Sequence, residues 1–109
     1  MNEEDEIERE IQEKGLDAPR LTPEGIDDLI VGEDYHRFPG TTVTVCMLEL
    51  RNGFSVVGES AAASPSNFDE ELGRKIARSK ARERIWPLAG YALKERLYVS
   101  RSPGQTHPN

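Results

Sequence analysis

The sequence predicts an α+β fold: N-terminal helices, one antiparallel β-hairpin, then a long helix and a final helix packed on that hairpin. Three observations carry the prediction. Residues 41–51, TTVTVCMLELR, are rich in β-branched and apolar types. Asn52-Gly53 is a favoured tight-turn pair, and FSVVGES at 54–60 returns. Helix-start signals stand before the hairpin at Asn2 and Thr22-Pro23, and helical periodicity runs after it from Phe68 towards Tyr98.

Taken in order, residues 3–14 are strong helix formers. Asn2 supplies an N-cap, four acids fill the first turn, and Gly15 is a natural stop. Only Ile7 and Ile11 give this helix an apolar stripe. Thr22-Pro23-Glu24 starts a second, short helix carrying Ile26, Leu29 and Ile30, ended by Gly32. Residues 33–40, EDYHRFPG, read as a connector. In the hairpin, a two-residue Asn-Gly loop places Leu48 opposite Val57 and Cys46 opposite Glu59. Cys46, Leu48, Leu50 and Val57 then form the expected core face.

Asn67-x-x-Glu70 approximates a capping box for the long helix, which runs from Pro65 or Phe68 to Ile85 or Trp86. Phe68, Leu72 and Ile76 form its apolar stripe, with Gly73, Ala77 and Ala81 as a small-residue strip alongside. Trp86-Pro87 breaks this helix and opens the last one, through about Tyr98. The expected organisation is an acidic N-terminal helix and linker at 1–20, a compact α+β domain at 21–98, and a disordered tail at 99–109. A two-stranded hairpin alone is marginal in water and exposes two edges. Either helices cover both faces in a monomer, or two hairpins join across a dimer axis; a homodimer with a continued or packed sheet is the favoured expectation.

Composition excludes several classes. The 109 residues carry a net charge of −6, and no run of about 18 apolar residues suits a membrane span. The acidic N-terminus lacks the apolar region of a signal peptide, so the expected location is cytoplasmic. Cys46 is the single cysteine and sits in an apolar strand, so it reads as a structural thiol. His36 and His107 stand far apart, and no cluster has metal-ligand spacing, so no metal or cofactor is expected. Charge is strongly segregated. Residues 1–34 hold 13 acids and 3 bases, whereas residues 72–109 hold 2 acids and 9 bases. The two ends can neutralise each other or meet partners of opposite sign.

Four stretches together resemble a family of small tailed-phage and prophage accessory proteins: IEREIQEKGLDAPRLTP, VTVCMLELRNGFSVVGES, SPSNFDEELGRKIA and IWPLAGYALKERL. Asn52-Gly53-Phe54, Gly58-Glu59-Ser60, Gly73-Arg74-Lys75-Ile76-Ala77 and Trp86-Pro87-Leu88 carry most of the likeness. Members often have a longer insert before the first strand, Cys in place of Ala62 and Glu in place of Ala89. The resemblance implies a phage-encoded protein acting inside the infected bacterium, and it brings no catalytic mechanism.

Two groups of candidate site residues follow. Glu59 and Ser60 at a strand end, with Asn67, Arg74, Lys75 and Arg78, could line a ligand or partner pocket. The alternative is that Glu59 pairs with Arg74 or Lys75 and Ser60 bonds backbone. Trp86 and Tyr91 are candidates for an interface or a base-stacking wall. Ser60 lacks the GxSxG setting and a matched histidine, so no hydrolase is expected. The expected role is non-enzymatic binding of a host protein, as a host-takeover or anti-defence inhibitor. The alternatives are sequestration of a nucleotide-type signal at Arg74, Lys75 and Arg78, and nucleic-acid binding through the basic long helix.

Overall fold

A computed structural model describes residues 2–101. The elements are α1 (Glu3–Glu13), α2 (Pro23–Leu29), β1 (Ile30–Arg37), β2 (Thr44–Leu50), β3 (Ser55–Ser60), a 3₁₀ turn (Pro65–Asn67), α3 (Glu70–Glu83) and α4 (Ile85–Arg101). The class is α+β, with α3 laid across one face of a three-stranded antiparallel sheet of order β1-β2-β3.

The sheet has one strand more than the hairpin. Residues 33–37, expected in a connector, form most of β1, and Gly32 lies inside that strand instead of ending α2. β1 pairs with β2 from Ile30–Leu50 to Arg37–Thr44, with a bulge at Val31. An edge strand is solvated on its outer side, so it tolerates the charges that disguised it. Only Ile30, Gly32 and Tyr35 in β1 are partly buried.

The turn also differs from the expected one. Leu50 and Phe54 close a three-residue loop, Arg51-Asn52-Gly53, with Gly53 at φ +92°. Its left-handed backbone is the position that a three-residue hairpin reserves for glycine. The extra loop residue slips the register by one: Leu48 faces Val56 and Cys46 faces Gly58. Val56, Gly58 and Ser60 therefore point inward, and Val57 is exposed.

Helix packing follows from this register. At Gly58 the sheet comes so close to α3 that an added Cβ would lie 2.3 Å from the Ala77 carbonyl oxygen and 2.3 Å from the Ala81 nitrogen. Only a strip of small residues permits that approach, so α3 meets the sheet through Gly73, Ala77 and Ala81. The Phe68, Leu72, Ile76 stripe does not face the core: Leu72 is 54% and Ile76 40% exposed. Ile26, Cys46, Leu48, Leu50, Val56, Ala77, Ala81 and Ile85 form the small core.

The helix starts depend on side-chain caps. Asn2 accepts from the Asp5 N–H at 2.8 Å, and Thr22 from the Gly25 N–H at 2.9 Å. Asp69, not Asn67, caps α3 by accepting from the Leu72 N–H at 2.8 Å. Trp86 and Pro87 fall in the first turn of α4, where the missing proline N–H costs nothing. α4 continues through Val99, Ser100 and Arg101. The rest of the expected tail, with His107, lies outside the described residues.

Both sheet edges are partly occupied by side chains. Arg84 donates to the outward Val57 carbonyl of β3. On β1, Asp34 accepts from the Tyr35 N–H at 2.9 Å.

Candidate functional site

The expected site residues are distributed over separate places. Ser60 is buried and donates to the Gly73 carbonyl at 2.8 Å, tying β3 to the first turn of α3. Asn67 ends the 3₁₀ turn and shares a shallow hollow of about 80 Å³ with Ser60, Phe68 and Leu72. Glu59 points elsewhere and pairs with Arg84 at 3.3 Å. Thus Gly58, Ser60, Gly73 and Ala77, prominent in the sequence motifs, interlock the sheet and helix. Beside them the Thr44 hydroxyl is buried without a hydrogen-bond partner among the described residues.

Arg74, Lys75 and Arg78 border a second, open depression with Tyr35, Glu70 and Glu71. Each cation already has a carboxylate: Arg74 with Glu70 at 3.4 Å, Lys75 with Glu71 at 3.5 Å, and Arg78 with Glu33 at 3.0 Å. Arg74 also lies over the Tyr35 ring, 5.3 Å from its centroid. The Tyr35 hydroxyl donates to Glu33 at 2.8 Å. That bond and Arg78 hold the Glu33 carboxyl below its ordinary range, whereas burial, helped by Glu33, pushes the Tyr35 phenol up. Burial raises the Cys46 thiol as well, which suits a structural rather than a nucleophilic cysteine.

Further along α3, Arg82 gathers acids from two other elements. Its guanidinium donates to Asp27 at 2.7 Å, to Glu4 at 3.1 Å and to the Pro23 carbonyl at 3.2 Å. Arg20 makes a two-pronged pair with Glu8 at 2.7 and 2.8 Å. The acidic α1 is thereby docked on its own chain, and charge segregation in the sequence becomes charge pairing in the fold. α1 itself buries no residue.

A different surface was not singled out by the sequence. Leu29, Leu50, Phe54, Ile85, Leu88 and Ala92 line an apolar groove of about 390 Å³ between α2, the hairpin turn and α4. Arg51 and Arg96 stand on it, and neither makes an ion pair among the described residues. The only advance signal was the Ile85, Leu88, Ala92 repeat on α4. Leu50 and Phe54 join that repeat only through the turn geometry. Trp86 is half-buried against the core, whereas Tyr91 is 73% exposed on α4.

Among the described residues, no group of His, Cys, Asp and Glu could hold a metal ion. No helix there is long and apolar enough to cross a membrane.

These features define a small two-layer α+β protein in which Gly58, Ser60, Gly73 and Ala77 serve packing, while Phe54 and Leu88 border an open apolar groove. The chain belongs to the Phage protein (N4 Gp49/phage Sf6 gene 66) family, whose model matches residues 21–97, and it is a phage-encoded protein. The matched span begins after α1 and takes in the sheet, α3 and most of α4. No curated protein and no solved structure gives a significant match.

Proposed function

We propose that this protein is a non-enzymatic accessory factor that binds a host protein in the cytoplasm of the infected bacterium and inhibits or redirects it. The supporting observation is the groove of Leu29, Leu50, Phe54, Leu88 and Ala92, flanked by Arg51 and Arg96, two cations without an ion pair among the described residues. Such a floor and rim suit a segment with an apolar anchor and flanking carboxylates, laid in as an amphipathic helix. Most of the basic band around α3 is already engaged, which favours this role over anion binding: Arg74, Lys75, Arg78, Arg82 and the C-cap Arg84 have carboxylate partners, and Lys80 has none among the described residues.

The test is capture from infected cells with a photo-crosslinking residue at Phe54. A host protein should be trapped by that position, lost on Ala92→Glu, and kept on Arg74→Ala/Lys75→Ala. Loss on the α3 pair alone would overturn the groove. A nucleotide panel at hundredfold excess over a micromolar constant should leave the melting temperature unchanged. A bound nucleotide would contribute about 2.7 kcal/mol there, and such a shift would move the role to signal sequestration.

A further inference from the structure

We propose that α4 is a dimerisation helix that pairs antiparallel with α4 of a second copy of this chain. Of its 17 residues only Ile85 is buried. Its Trp86, Gly90, Leu93 and Leu97 face turns towards the chain's own body, and a Cβ on Gly90 would lie 3.7 Å from Leu21. A second face is open to solvent among the described residues. Leu88 is 42%, Tyr91 73%, Tyr98 43% and Val99 53% exposed.

Leu88, Tyr91, Glu95 and Tyr98 follow the alternating three- and four-residue spacing of a helix-pairing seam. The exposed parts of Leu88, Tyr91, Tyr98 and Val99 amount to roughly 500 Å² per subunit, against about 800 Å² in a standard interface. Flanking residues add to that figure, so the area suits a dimer of modest affinity. The sheet offers a poorer route than a helix seam, since Arg84 and Asp34 occupy positions on its two edges.

The polar member of the seam sets the direction. A parallel pair would place Glu95 against the partner's Glu95, and like charges directly opposed are repulsive. The antiparallel register sets Leu88 opposite the partner's Tyr98 and Tyr91 opposite the partner's Glu95. A phenol then donates to each carboxylate, as Tyr35 does to Glu33 within the chain. Leu88 also borders the groove, so the second α4 would wall its open side. The dimer stands whatever occupies that groove.

Sedimentation at tens of micromolar should give twice the 12.2 kDa chain mass. Tyr91→Glu should weaken association at least tenfold. The double variant Leu88→Cys/Tyr98→Cys should oxidise to a covalent dimer. Its two cysteines lie ten residues, about 15 Å, apart on one helix, too far for an internal bridge. Cys46 is fully buried and does not compete. A monomer at that concentration would overturn the proposal. So would a dimer that ignores Tyr91→Glu and fails to cross-link, because its interface would lie elsewhere.

Discussion

Gly58→Ala is the most direct probe of how the sheet and helix are joined. The new methyl would sit 2.3 Å from the Ala77 oxygen, 2.3 Å from the Ala81 nitrogen and 2.9 Å from the Ala81 Cα. Carbon contacts are comfortable at about 3.5–4.0 Å, so relief requires α3 to lift by about 1 Å or more. All three obstacles are backbone atoms, and no rotamer change can remove them. Overpacking typically costs about 1–3 kcal/mol, and a clash with backbone belongs at or above the top of that range. With a urea dependence of about 2 kcal/mol per molar, the unfolding midpoint should fall by about 1.5 M. Gly73→Ala is the control. Its Cβ would meet the Thr44 and Ser60 hydroxyls at 3.3 and 3.4 Å, a tight fit against side chains. Alanine regains about 1 kcal/mol of helix propensity there, so the net change should be small. Equal midpoints for Gly58→Ala and wild type would refute the close approach, and with it the placement of α3.

Four further outcomes are expected. Thr44→Val keeps the shape and removes a buried hydroxyl that lacks a partner among the described residues; it should stabilise by about 1 kcal/mol in urea titration. Arg82→Ala should cost about 1–2 kcal/mol and expose α1 to proteolysis, because it strips partners from Glu4 and Asp27 together. Arg74→Ala, with a solvated i,i+4 pair, should stay within about 0.5 kcal/mol. Glu33 is held below its ordinary 4.5 by Tyr35 and Arg78, so in acid the unfolded chain binds the extra proton. Its contribution is full above that value and is lost as pH falls through the lower folded-state value. Urea midpoints measured from neutral to acid pH should therefore drop less steeply for Glu33→Gln, and an unchanged slope would refute the role of that carboxylate.

The parts of the fold that were legible in the sequence are those written in local chemistry. Asn2 and Thr22 cap their helices because a side-chain oxygen next to free N–H groups needs nothing from elsewhere in the chain. The alternation of β2 marks its buried face for the same kind of reason. β1 was hidden because an edge strand with one half-buried tyrosine carries little apolar pattern. The hairpin register turned on one residue, since Asn-Gly serves a two-residue loop and also the last two places of a three-residue one. That single step moved Val57 out and Gly58 in. Gly58 then reversed the choice between the bulky and the small strip of α3, a tertiary demand invisible along the helix itself. Among the site residues, Ser60 was legible as a backbone-bonding hydroxyl, whereas the groove needed the turn to carry Phe54 towards α4.

The ion pairs of Glu4 and Glu8, on a helix that buries no residue, make the N-terminal arm an ionic latch. Carboxylates tethered to the same chain act at millimolar effective concentration, so a free polyanion must outcompete ligands that never diffuse away. The latch also weakens as salt shortens the reach of its charges, to about 8 Å at physiological strength. Dilute buffer should therefore hold the arm closed over Arg82, and brine should let it swing free while the sheet and α3 stay folded.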